Sequence, residues 1–235
     1  MTEQLPPDVI AQLAALDPAI TPQLAQASWA LLTPFHEKAG YTAPKIDRDL
    51  AYGDGPRHRL DVHTDGDGAD SADQGAGAGR PVFVFVHGGG FVRGDKHTPG
   101  GPQYDLVGAW AVRRGYVGVT MTYRLAPGHV WPAGAEDVAK AVRWLKQNIA
   151  AYGGDPDKIV VAGNSAGAVH VASYVAGQGG GDPADIAGAA LLSGIYQIRD
   201  PAPGEPEHVY YGPNPGPEVS SLPGLLDTTV PLLFS

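Results

Sequence analysis

The sequence predicts an α/β fold, a mostly parallel, doubly wound sheet with helices on both faces, and three observations carry that expectation. Short apolar runs at Val82–Val86, Val117–Tyr123, Ile159–Ala162, Ile186–Leu192 and Val230–Phe234 read as buried strands. Helical patterns separate them, which favours parallel strands joined by crossovers. A serine, Ser165, stands between one such strand and a run of small and apolar residues, the pattern of an abrupt strand-to-helix turn. A ligand site in such a sheet belongs at the carboxyl ends of the strands.

Taken in order, residues 1–40 form a helical unit of their own. Val9, Ile10, Leu13 and Leu16 share one helical face, Asp17-Pro18 interrupts it, and Thr21-Pro22 supplies an N-cap and a first-turn proline. Leu24, Ala27, Leu31 and Leu32 continue as a second stripe. Residues 41–235 form the core domain. From Lys45 to Asp65, two partly alternating segments predict an antiparallel hairpin at one sheet edge. Residues 66–80, rich in Gly, Ala and Asp, predict a mobile surface loop. Helices are expected from about Gln103 to Arg114 and from Ala135 to Ala150. The second has the stripe Val138, Val142, Leu145 and Ile149 and a Glu136–Lys140 pair on its solvent side. Residues 194–227, with many prolines and glycines and with Tyr196, Tyr210 and Tyr211, read as a loop covering a site.

Composition excludes several classes of partner. A formal net charge of −9 argues against nucleic acid and anionic membrane surfaces. No apolar run approaches the ~18 residues of a membrane span, and the start MTEQLPPDVI is unlike a signal peptide. With no cysteine there is neither a disulfide framework nor a thiolate metal site, and no His/carboxylate cluster has metal-ligand spacing. A cytoplasmic protein without cofactor or metal is the expectation.

Two motifs carry chemistry. In Gly163-Asn164-Ser165-Ala166-Gly167 the serine sits at the apex of a strained turn, and glycines two before and two after it remove the Cβ atoms that would collide. The helix beginning after Ser165 aims N–H groups and its positive end at whatever the serine attacks. Upstream, Val82–Val86 leads into His87-Gly88-Gly89-Gly90-Phe91, a glycine loop able to aim N–H donors at a developing oxyanion.

HGGGF, YRLAP (Tyr123–Pro127), WPAGAED (Trp131–Asp137), GGDP (Gly153–Pro156) and GNSAG occur in order over roughly residues 40–235, and together they resemble the α/β-hydrolase fold. More narrowly, the chain resembles the hormone-sensitive-lipase-like carboxylesterases. The resemblance implies Ser165 as nucleophile and the backbone N–H groups of Gly89, Gly90 and Ala166 as oxyanion hole, with Gly88 serving the turn. It also implies that the N-terminal helices form part of a cap, although two helices simply docked on the core fit the residues equally well.

The general base is harder to place. His87 reads as holding the glycine loop, and His170, five residues beyond Ser165, points toward packing. His36, His58 and His63 lie in the N-terminal part, expected to be far from the strand ends. His97 and His129 fall in loops but match no catalytic position of the family. Asp137 and Asp155 read as structural, and Asp227 precedes the last strand at its wrong end. In the resembling enzymes the acid and then the histidine follow the strand that begins here at Val230, so both are expected beyond Ser235, with the C-terminal strand and helix of the fold missing. Asp200 and His208 are the in-chain candidates. If Ser235 is the terminus, an exposed apolar edge at Val230–Phe234 would favour pairing with a second chain, which leaves a homodimer open. The expected activity is hydrolysis of short-chain carboxylic esters, small-molecule substrates, through an acyl-enzyme intermediate. The alternatives are an amide or formamide hydrolase, a lactonase, and a non-catalytic fragment or binding protein with the same fold.

Overall fold

The computed structural model describes residues 5–17, 19, 21–66 and 79–235. Nearly all of the loop expected at 66–80 lies outside the described residues. Two helices, α1 (Pro7–Ala14) and α2 (Pro22–Ala39), precede the sheet, and the Thr21 side chain accepts from Leu24 N at 3.1 Å as the expected cap. Strands β1 (Lys45–Ala51) and β2 (Arg59–Thr64) are followed by β3 (Arg80–Val86), α3 (Asp105–Arg113) and β4 (Val117–Met121). Next come α4 (Ala133–Asn148), β5 (Gly154–Asn164), α5 (Ala166–Val175) and β6 (Gly188–Leu192). Short helices α6 (Pro206–Tyr211) and α7 (Leu222–Asp227) lead to β7 (Leu232–Phe234).

Among the described residues, seven strands form one sheet in the order β1-β2-β4-β3-β5-β6-β7. The expected edge hairpin is β1–β2; β2 runs antiparallel to β4 as well, and every later neighbour pair is parallel. Central β3 sends alternate side chains to opposite faces. Val82, Val84 and Val86 are buried in a core shared with Val138, Val142 and Leu145 of α4 and with Ala168 and Val171 of α5. Phe83 turns to the other face and meets Trp110 of α3 edge-on at 5.2 Å between ring centroids. Fully burying each such side chain contributes about 1.5–3 kcal/mol, so the sheet centre dominates cohesion.

At the hairpin edge, the fully buried Asp61 carboxylate accepts from Arg48 at 2.7 Å, and Lys96 Nζ approaches it at 3.0 Å. Arg48 also reaches Asp105 at the start of α3, which ties the hairpin to the helix behind it.

Three expectations are corrected. Ile10 is 52% exposed although Val9 is buried, because consecutive helical positions point about 100° apart and the face that buries Val9 turns Ile10 outward. Glu136 pairs with Arg124 at 2.7 Å and Lys140 with Asp137 at 3.5 Å, so the expected Glu136–Lys140 pair gives way to partners brought by the tertiary fold. The 194–227 segment holds α6 and α7 rather than continuous loop; both are six residues long, each with proline in its first turn, too short for a helical period to register.

Candidate active site

Strands β3 and β5 end side by side, with Val86 opposite Gly163, so the glycine loop and the serine turn emerge together at the carboxyl end of the sheet. Ser165 has φ 52° and ψ −121°, a left-handed conformation rare for a residue with a side chain. What holds it there is packing on both sides. A Cβ on Gly163 would come within 2.5 Å of the Gly167 carbonyl, and one on Gly167 would collide with the Val86 carbonyl. Ser165 N donates to Leu192 O on β6 at 2.8 Å, and Ser165 O accepts from Val169 N in the first turn of α5. The Ser165 side chain is exposed, and its Oγ makes no hydrogen bond among the described residues. The Ala166 N–H opens α5, where helix geometry leaves donors without intrahelical partners.

The glycine loop lies against this turn. A Cβ on Gly88 would sit 3.3 Å from Ser165 Cβ and 3.0 Å from Asn164 O. Gly89 and Gly90 have φ 139° and 59°, and the Gly89 carbonyl accepts from Arg93 N at 3.2 Å, which closes the loop on itself. Phe91 leaves the loop into a second apolar cluster, stacked on Tyr210 of α6 at 4.6 Å. Pro206 of the same helix lies 3.2 Å from where a Gly90 side chain would begin. The helix α6 therefore buttresses the loop directly.

His87 sits at the loop's root, buried, with its pKa lowered to about 4 by desolvation, and so is neutral. Its Nδ1 is 2.7 Å from Gly88 O and its ring stacks on Tyr123 at 4.3 Å. The Tyr123 hydroxyl donates to His87 O at 2.9 Å, and Arg57 Nη2 lies 3.4 Å from His87 Nε2. The expectation that this histidine holds the loop thus has a geometry. Arg57, Tyr123 and Tyr210 were not singled out in the sequence for this role; only the placement of Tyr123 at a strand end offered a signal.

Neither in-chain candidate for acid or base is joined to the serine. His208 Nδ1 lies 3.2 Å from Pro201 O, and no hydrogen bond links His208 to Asp200 or either residue to Ser165 among the described residues. His170 is buried between Phe91, Tyr123 and Tyr210, and desolvation lowers its pKa to about 3. His58 corrects the sequence reading. Because β2 runs antiparallel, with Leu60 opposite Met121, His58 lies at the carboxyl end of β4, near the site rather than far from it. Its Nε2 lies 3.0 Å from Asp137 Oδ1, and its Nδ1 accepts from Gly55 N, so the ring is fully engaged. Asp137, fully buried, also accepts from Arg124 N and Nε at 2.8 and 2.9 Å, the structural role expected of it. No cluster of three His, Asp or Glu side chains able to hold a metal occurs among the described residues, and no described helix is long and apolar enough to cross a membrane.

Comparison with known proteins agrees with this geometry. Residues 72–185 match the family described as BD-FAE. Carboxylesterase NlhH of Mycobacterium tuberculosis is 46% identical over 89 residues, which cover 37% of this chain and 26% of that protein. Esterase LipQ of the same organism is 37% identical over 162 residues, covering 65% of this chain and 36% of LipQ. The chain thus spans about a quarter to a third of these curated relatives. Among solved structures, the hyperthermophilic esterase from the archaeon Pyrobaculum calidifontis superposes with a TM-score of 0.56 at 28% identity, covering 81% of this chain and 58% of that one. By its sheet order, its serine turn and these likenesses, the chain has the α/β-hydrolase fold and is similar to carboxylesterases.

Proposed function

We propose that the protein hydrolyses short-chain carboxylic esters through an acyl-enzyme intermediate, with Ser165 as nucleophile. In this mechanism Ser165 Oγ attacks the ester carbonyl while a general base takes its proton. The carbonyl oxygen gains negative charge and is stabilised by the N–H groups of Gly89, Gly90 and Ala166. The alcohol leaves with a proton, and water repeats the sequence on the acyl-serine. One observation carries the reading: an exposed serine in a strained left-handed turn at a helix N-terminus, with the glycine loop packed against it. Preference for short acyl groups is supported by the placement of α6, whose Pro206 lies 3.2 Å from where a Gly90 side chain would begin. The helices of residues 1–40 are proposed as a cap segment. A homodimer is supported by edge strand β7, where Leu233 and Phe234 are 62% and 53% exposed.

The test is turnover of p-nitrophenyl acetate together with labelling by an organophosphonate. Wild-type protein should be labelled at Ser165 alone, and Ser165→Ala should lose both labelling and turnover. Labelling that persists in Ser165→Ala would remove the serine as nucleophile.

A further inference from the structure

The hydrogen bonds around His87 assign a job to a residue outside the glycine loop. Arg57, in the turn between β1 and β2, spans two elements: its Nε donates to Tyr123 O just past β4 at 2.7 Å, and its Nη2 donates to Gly94 O on the outgoing limb of the loop at 2.8 Å. Thr122 Oγ1 fixes the Arg57 backbone by donating to its carbonyl at 2.6 Å. The same Nη2 points at His87 Nε2 from 3.4 Å. An arginine is always a donor, so the ring nitrogen facing it must present its lone pair. The proton of the neutral ring then resides on Nδ1, which faces Gly88 O at 2.7 Å, an atom that only accepts. A trans peptide is planar, with C=O and N–H pointing in opposite directions. Turning Gly88 O toward His87 therefore turns the Gly89 N–H away from it.

We propose that Arg57 is a positioning residue for ester hydrolysis: it selects the Nδ1–H tautomer of His87, and that tautomer holds the Gly88–Gly89 peptide in the plane that makes the Gly89 N–H an oxyanion donor. The proposal rests on the esterase reading above, but its first step, the tautomer, does not depend on catalysis. Arg57 touches no substrate in this scheme. Its removal should weaken the transition state far more than the ground state, since the oxyanion forms only as the bond to Ser165 does.

The experiment uses the wild-type protein in its natural form and the variants Arg57→Met and Arg57→Lys, with two readouts. In ¹⁵N-histidine NMR, wild-type His87 should carry its proton on Nδ1, Arg57→Met should shift toward a mixture of tautomers, and Arg57→Lys, which keeps a donor, should restore part of the Nδ1–H form. For p-nitrophenyl acetate, Arg57→Met should lower kcat about 10- to 100-fold with KM changed less than about threefold, within the range of losing one oxyanion donor. His87 protonated on Nε2 in the wild type, or an unchanged tautomer in Arg57→Met, overturns the proposal. So does an unchanged kcat in Arg57→Met when Ser165→Ala is inactive. If Ser165→Ala retains full turnover, the esterase reading fails instead, and the NMR result still decides whether Arg57 controls His87.

Discussion

Gly163 and Gly167 face each other across Ser165, so near that a Cβ on the first would come within 2.5 Å of the carbonyl carbon and oxygen of the second. The colliding atoms are backbone, which cannot move without shifting either β5 or the first turn of α5. Gly163→Ala should therefore cost about 2–3 kcal/mol of stability and most of the esterase turnover together. Urea unfolding and p-nitrophenyl acetate assays check this; a variant of native stability and rate would mean that the turn is looser than described.

His208 and Asp200 are expected to be dispensable for catalysis, since the His208 ring lies against Pro201 O and neither side chain is bonded to Ser165. His208→Ala and Asp200→Asn should each leave kcat within about twofold, because loss of a triad member costs on the order of 10⁴ to 10⁶. A drop of that size in either variant, with the melting temperature kept, would restore it as a catalytic residue.

Acyl-chain preference should follow the placement of Pro206 beside the Gly90 position. A hydrophobic pocket gains about 1–3 kcal/mol per methylene only while the chain still fits. Among p-nitrophenyl esters, kcat/KM should peak at acetate or butyrate and fall by dodecanoate, and Pro206→Gly should move the peak to longer chains. A constant still rising at dodecanoate in the wild type would argue for a lipase-like site.

Stability should fall in mild acid. Burial lowers the pKa of His63 and His87 to about 4 and that of His170 to about 3, against 6.5 for the free side chain. Between these values the unfolded chain binds the additional protons, so the stability these neutral rings contribute is present above pH 6.5 and lost as pH falls toward 4. Each ring contributes a slope of up to about 1.4 kcal/mol per pH unit. Urea midpoints measured from pH 7.5 to 4 should decline steeply below about pH 6; a flat profile would show that the rings are hydrated or charged in the native state.

Asp137→Ala should be among the most damaging single changes, at about 3–5 kcal/mol, because it strands Arg124 and His58 around a buried, vacated site. Thermal unfolding checks it, and a loss under 1 kcal/mol would mean that water replaces the carboxylate.

Much of this architecture was legible because strand composition and glycine spacing are local signals. The runs at Val82–Val86 and Ile159–Ala162 announce β3 and β5, and the glycines beside Ser165 are dictated by backbone crowding within five residues. What escaped depends on who meets whom across the fold. His58 looked remote until the reversed direction of β2 carried it to the carboxyl end of β4, and Glu136 looked set to pair with Lys140 until Arg124 reached it. The helix α6 and its Phe91–Tyr210 stack join residues more than a hundred positions apart and leave no local trace. The same holds for Arg57, which reaches Gly94 from a turn in an earlier hairpin.

The bond from Ser165 N to Leu192 O has a mechanical meaning. The height of Ser165 above the sheet is set by the strand next door, β6, which begins with the small residues Gly188, Ala189 and Ala190 and ends in Leu191 and Leu192. Among the described residues the strand next to β6 on that side is the three-residue β7, joined to it through Leu191–Phe234 and neighbouring pairs. A disturbance at β7 has a path of two hydrogen-bonded strands to Ser165, so the serine should register damage there sooner than damage to the hairpin side.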